Sequence, residues 1–177
     1  MRTFIIILLI GLGLLTLALV ARSGIFARNN PGRPINSVMR LSLENQGIPE
    51  VSSEDAMLIA RQYGTASRLP SGLLFVRRVA GTGEPARIGQ EIIVHYDGRL
   101  LDGRRFDSSY DSGVPFTFRV GAGQVIPGWD EVFQLMRKGE KRTLIIPYWL
   151  AYGVNGRPPK IPPRATLVFE VEVLDIR

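Results

Sequence analysis

The side chains in this sequence that could do chemistry are aromatic and carboxylic rather than metal-binding or nucleophilic. Its 177 residues include no cysteine and one histidine, which removes disulfides, thiolate nucleophiles, a lipidated cysteine and any zinc site built from several His or Cys ligands. G-x-S-x-G and P-loop signatures are absent. Gly81-Thr82-Gly83-Glu84-Pro85-Ala86 matches G-x-G-x-x-A. However, Pro85 and the strand expected from Glu91 leave no room for the helix that would hold a pyrophosphate, so the segment reads as a hairpin turn. His95 stands between Val94 and Tyr96 with no nucleophile in view, and reads as a structural side chain with one ring nitrogen satisfied. What remains is a set of aromatics where packing alone does not call for all of them: Tyr96, Phe106 next to Asp107, Phe116, Phe118, Trp129, Tyr152 and Phe169. With Val125-Ile126-Pro127-Gly128 and the proline-rich 157–163 stretch, they can line an apolar pocket carrying a few polar tips.

Short β-type elements must position these residues. Apolar runs over Leu73–Val79, Glu91–Tyr96, Pro115–Val120, Arg142–Pro147 and Ala165–Ile176 are separated by Gly-, Pro- and Asp-rich turns such as Asp102-Gly103, as strands of an antiparallel sheet would be. The last run alternates Phe169, Val171 and Val173 with Glu170 and Glu172, the pattern of a sheet with one wet face. Its parity shifts at Leu174, which marks a bulge or the strand's end. One helix interrupts the series. Trp129, Val132, Phe133 and Met136 fall at i, i+3, i+4 and i+7, with acids in the first turn, Lys138 at the end and Gly139 as the stop. The expected domain is α+β, a curved antiparallel sheet of about five strands wrapped around one short helix, over residues 66–177.

The N-terminal part reads differently. Phe4 to Ala21 is an uncharged apolar stretch in which only Thr16 is polar, long enough to span a bilayer as a helix. Leu19-Val20-Ala21 and Ala21-Arg22-Ser23 are poor small-x-small cleavage sites, so an uncleaved anchor over 1–21 is favoured over a signal sequence removed on export. Residues 22–65 read as a tether, with a short helix near 53–63 for which Ser53 offers the N-cap and Gly64 the stop. That helix is either a stub packed on the domain or a dimerisation element. Charge is uneven: five Arg and no acid in 1–40, one Arg against four acids in 41–64, and sixteen basic against twelve acidic residues in 65–177. Arg22, Arg28, Arg33 and Arg40 outnumber Arg2 across the apolar stretch, which by the positive-inside rule puts the domain in the cytoplasm. The lack of cysteine argues the other way, for an oxidising compartment. The basic pairs Arg77-Arg78, Arg104-Arg105 and Arg137-Lys138 are scattered, against a nucleic-acid surface.

Five ordered blocks carry a resemblance. Val94-His95-Tyr96, Asp102-Gly103 followed by Phe106-Asp107-Ser108-Ser109, Val125-Ile126-Pro127-Gly128-Trp129, Ala151-Tyr152-Gly153, and Ile161-Pro162-Pro163 with Ala165-Thr166-Leu167-Val168-Phe169 closely resemble the FKBP-type peptidyl-prolyl cis–trans isomerases over about 68–177. Ser71-Gly72-Leu73 ahead of Gly81-Thr82-Gly83 looks most like the bacterial cell-envelope branch. The resemblance implies a proline pocket made by Tyr96, Phe106, Asp107, Phe116, Val125, Ile126, Trp129, Tyr152, Ile161 and Phe169. Trp129 would be its floor and Phe106 and Phe169 its walls. The Ile126 N–H and Tyr152 hydroxyl would hold substrate carbonyls, and Asp107, with Tyr96 beside it, would face the twisting amide.

The implied partners are proline-containing polypeptides and macrolides, with no metal or cofactor, and the implied place is the inner-membrane surface facing the periplasm. A second reading from another class is an FKBP-fold chaperone or binding module with little isomerase activity. The intact Tyr96, Asp107, Trp129 and Tyr152 argue against it. Departures from the family pattern gather at the rim. Ser112 stands where an Arg often pairs with the pocket Asp, Gln124 replaces a frequent Glu, Arg157 a frequent His and Lys160 a frequent apolar residue. These changes imply altered peptide preference and weaker macrolide binding rather than lost activity.

Overall fold

The computed structural model describes residues 50–177; the apolar stretch at 4–21 and most of the tether lie outside the described residues. Helix α1, Ser53–Tyr63, begins where the Ser52 hydroxyl accepts the Asp55 N–H at 3.0 Å. The cap is therefore Ser52 rather than Ser53: Ser52 holds the extended backbone that lets a side chain turn back onto the first turn. Ile59 buries itself against Leu101, Ile145 and Val168, and the Thr166 hydroxyl donates to the Asp55 carboxylate at 2.6 Å. The helix is thus docked on the domain.

Seven strands follow, β1 (Ser67–Arg68), β2 (Leu74–Val79), β3 (Glu91–Leu100), β4 (Arg105–Ser108), β5 (Phe116–Arg119), β6 (Lys141–Ile146) and β7 (Leu167–Ile176). They form one antiparallel sheet in the order β1-β2-β6-β7-β3-β4, with β5 also paired to β3. Two of the seven, β1 and β4, are short additions to the five expected. Strand β3 runs on past Tyr96 to Leu100, so that Tyr96 lies within a strand rather than at its end. The polar Asp97 and Arg99 there point to the wet face, and that alternation is as strand-like as an apolar run.

The 81–86 segment is not a hairpin turn. Strands β2 and β3 are separated by β6 and β7, so their connection has to cross the end of the sheet. Thr82 pairs with Lys138 on the way, and the Ala86 N–H donates to the Met136 carbonyl at 3.1 Å. No helix follows the glycines before β3.

In β7, Leu167, Phe169, Val171 and Val173 enter the core while Glu170 and Glu172 face outward. Pairing with β3 steps from Ile93 opposite Asp175 to Val94 opposite Val173. Leu174 is the residue skipped, and its parity shift is a bulge. The core fills the concave side: Ile92, Val94 and Leu100 from β3, Leu144 and Ile146 from β6, and helix α2, Pro127–Phe133. This helix starts two residues before Trp129 and ends at Phe133, five residues short of the end expected at Lys138. After Phe133 the chain tightens, with Leu135 N–H donating to the Val132 carbonyl and Met136 N–H to that of Phe133. These i to i−3 bonds still bury Met136 completely. Gly139, at φ 78°, turns the chain into β6 instead of capping the helix.

Candidate active site

Trp129, 4% exposed, lies at the centre of an aromatic cluster. Its ring is 5.2 Å from those of Tyr96, Phe133 and Phe169, 5.7 Å from Phe118 and 6.1 Å from Phe116. Most of these pairs meet edge to face, the arrangement that ring quadrupoles favour. Phe106 meets Phe169 at 5.6 Å and 90°. Gly98 on β3 lets them approach, because a Cβ there would stand 2.8 Å from Phe169 Cε1 and 2.9 Å from Phe106 Cζ.

The polar group of the cluster is a phenol–carboxylate pair. Tyr96 Oη donates to Asp107 Oδ2 at 2.7 Å, and the Ser108 N–H donates to Asp107 Oδ1 at 3.0 Å. Burial pushes the Tyr96 phenol well above its ordinary range, and the hydrogen bond to Asp107 and the negative charges nearby push it the same way. Tyr96 is therefore a fixed proton donor to Asp107 at any physiological pH. Its backbone is pinned by two serines: the Tyr96 N–H donates to Ser109 Oγ at 2.8 Å, and Ser108 Oγ donates to the Tyr96 carbonyl at 3.1 Å. His95 points to the opposite face of the sheet, with Nδ1 2.9 Å from Ser109 Oγ and its ring stacked on Tyr110 at 4.5 Å. That is the structural placement expected for it.

Helix α2 positions both its own Trp129 and the loop before it. Asp130 accepts the N–H groups of Gly121 and Gly123, each at 2.9 Å, and so ties down the chain that leads to Val125 and Ile126. Both residues are half-buried against the core. The Ile126 N–H has no acceptor among the described residues. Gly128 is needed for this seat, because a Cβ would come within 2.7 Å of Ile146 Cγ2.

The remaining wall comes from the chain between β6 and β7. A 3-10 turn, Tyr148–Leu150, leads into half-buried Tyr152, and the Gly153 N–H donates back to the Tyr148 carbonyl at 2.8 Å. Ile161, 3% exposed, is packed into the core, and its backbone exchanges two hydrogen bonds with Arg157 at 2.8 and 3.0 Å.

All ten residues implied by the resemblance are thus brought into one neighbourhood: Trp129, Ile161 and Phe169 buried, Tyr96, Phe106, Val125, Ile126 and Tyr152 half-buried, and Asp107 and Phe116 at the open margin. Gly98, Ser108, Ser109 and Asp130 carry no site role in the sequence reading. Their contribution is backbone spacing and backbone hydrogen bonds, and only the Asp-Ser-Ser and Gly-Trp-Asp clusters hinted at it.

The rim departures also have places. Ser112 Oγ donates to the Ser109 carbonyl at 3.2 Å, and Gln124 accepts the Arg119 N–H at 3.0 Å, so both close loops. Arg105, near in sequence to Asp107, is engaged by Asp97 and Asp111 instead. The resulting site is a partly exposed aromatic cluster around Trp129, with the Tyr96–Asp107 pair at its open side and half-buried Tyr152 nearby. Such a site can desolvate a bound peptide and hold its carbonyls.

Comparison with known proteins agrees with this geometry. The family model described as FKBP-type peptidyl-prolyl cis-trans isomerase matches residues 82–174. The FK506-binding protein of Neisseria meningitidis serogroup B is 50% identical over 105 residues, which cover 59% of this chain and 96% of that protein. The macrophage infectivity potentiator of Trypanosoma cruzi is 50% identical over 113 residues, covering 63% of this chain and 57% of that protein. Against FK506-binding protein 4 of Dictyostelium discoideum the match spans 33% of the relative's length. The crystal structure of AtFKBP13 superposes with a TM-score of 0.61 at 45% identity, over 63% of this chain and 98% of that one. With a family model matched over more than half its length and its cleft built from the same blocks, this chain belongs to the FKBP-type peptidyl-prolyl cis–trans isomerase family.

Proposed function

We propose that this chain accelerates cis–trans isomerisation of X–Pro peptide bonds in other polypeptides. The observation that carries the reading is the Trp129 floor enclosed by Tyr96, Phe106 and Phe169, with the Tyr96–Asp107 pair at its edge. Rotation about an X–Pro bond meets a barrier of about 18–20 kcal/mol because it breaks amide resonance, and the planar amide is the more polar, better hydrated state. A water-poor aromatic cleft therefore favours the twisted amide relative to the planar one. The proline ring rests on Trp129, the Ile126 N–H and Tyr152 hydroxyl hold the flanking carbonyls, and Asp107 faces the rotating group. Lowering the barrier by about 5 kcal/mol gives roughly four decades of rate. Macrolides fit the same apolar cleft, with affinity reduced by the rim changes at Arg157 and Lys160.

The test is a protease-coupled or NMR exchange assay of the full chain on short X–Pro peptides, beside Trp129→Leu with its fold checked by circular dichroism. A loss of at least tenfold in kcat/KM by the folded variant is expected. No acceleration by the wild-type chain, whatever residue precedes proline, sinks the reading.

We also infer a place for the domain: held at the outer face of a bacterial inner membrane by the apolar 4–21 stretch, in the cell-envelope branch of the family. The 18 uncharged residues and the absence of cysteine support it. The excess of Arg after the stretch opposes it, and impermeant labelling of an introduced cysteine decides between the two.

A further inference from the structure

We infer that the loop between β6 and β7 selects clients carrying a carboxylate side chain within two residues of the proline; this deepens the isomerase reading and rests on it. Between Glu140 and Glu170 the sequence contains no acidic residue, and the part of this span beside the cleft carries Arg157, Lys160 and Arg164. The Arg157 guanidinium lies 5.9 Å from the centre of the Tyr152 ring, which puts a full positive charge against one wall of the cleft. Arg157 and Lys160 are both exposed. Neither has an ion-pair partner among the described residues.

The backbone that carries these charges is fixed. Arg157 and Ile161 exchange their backbone hydrogen bonds across the tip, and Ile161 is buried behind it. Gly156 packs so tightly on the Ile161 and Pro162 carbonyls that a Cβ would overlap them. A tip fixed at both ends loses little freedom when a ligand charge arrives, so the attraction is not spent on ordering the loop. On the other wall Asp107 is negative and is hydrogen-bonded to Tyr96 rather than to a cation. A client carboxylate is therefore drawn to the Tyr152 side and repelled from the Asp107 side, which fixes the direction in which the peptide lies.

At an open rim such a charge is worth a few-fold, not orders of magnitude, and it is screened by salt. The experiment uses the full chain and alanine-based X–Pro peptides with Glu or Lys placed at each of the two positions on either side of the proline bond. At low salt, at the position that faces the loop, kcat/KM for the Glu peptide exceeds that for the Lys peptide by about five- to tenfold. The ratio falls toward about two at 0.5 M salt. Arg157→Gln with Lys160→Gln brings it near one, and Arg157→Glu with Lys160→Glu inverts it. A ratio near one in the wild-type chain at every position overturns the inference, as does a Glu preference that survives the double substitution. If no peptide is accelerated, the isomerase reading fails instead. The same peptides are then titrated against the Trp129 indole NMR signal, where equal affinities for Glu and Lys peptides overturn the selectivity separately.

Discussion

Gly98 brings no side chain to the cleft, yet it sets how close Phe106 and Phe169 stand. In Gly98→Ala the new methyl would be 2.8 Å from one ring and 2.9 Å from the other. The rings have to move, at a cost of about 1–3 kcal/mol by the usual scale of overpacking. Urea denaturation should show that loss together with a several-fold fall in kcat/KM; unchanged values in both would mean that the rings are not held by this contact. Tyr96 gives a prediction in pH. Burial, and then the Asp107 hydrogen bond, keep its proton in the folded state where an unfolded tyrosine releases it. The stabilisation is whole below about pH 10 and declines as the pH climbs above it. Tyr63 and Tyr110 are raised as well, so the wild-type chain should lose stability as the pH rises above about 10, and Tyr96→Phe should lose less. Equal losses would assign the effect elsewhere. At this scale the aromatics were legible because their types are unusual in turns and at strand ends. Gly98 and Ser109 were not, because a close approach and a bond to a backbone N–H leave no mark in residue type.

Helix α2 was legible as an apolar face, since Trp129, Val132, Phe133 and Met136 all reach the core. Its length was not. Bonds of the i−3 type after Phe133 bury the same side chains with fewer α-helical residues. Asp130, an acid expected merely to favour the helix N-terminus, spends both carboxylate oxygens on the Gly121 and Gly123 amides. Asp130→Ala leaves two donors to water and frees the loop that presents Ile126. We expect a loss of about 1–3 kcal/mol and a rise in KM larger than the change in kcat, read by denaturation and steady-state kinetics on one preparation. A lower kcat at constant KM would show that Asp130 acts on the rotating bond and not on the loop. Helix α1 teaches the complementary lesson. Its caps and acids are local and readable, whereas its docking on Ile145 and Val168 depends on residues about ninety or more positions away.

Across the whole molecule, the α+β class and the wrapped helix followed from periodicity, but strand order did not. Neighbours such as β2 and β6 pair backbones that are remote in sequence, and no local pattern names a partner. The same scale holds the question of sides. Arg104 is exposed in the β3–β4 hairpin, and the chain has no native cysteine to compete. Arg104→Cys should react with a membrane-impermeant maleimide in intact spheroplasts if the domain lies outside the inner membrane. Labelling only after lysis would put it in the cytoplasm, as the Arg count alone suggests. Strand β7, latest of the strands in sequence, lies between β6 and β3 in the middle of the sheet. During vectorial synthesis both of those strands wait with unpaired, apolar edges until Leu167–Ile176 has been made. Closure is the final step rather than a gradual one, and a nascent chain stalled before Leu167 would be a sticky template for its neighbours instead of a smaller working enzyme.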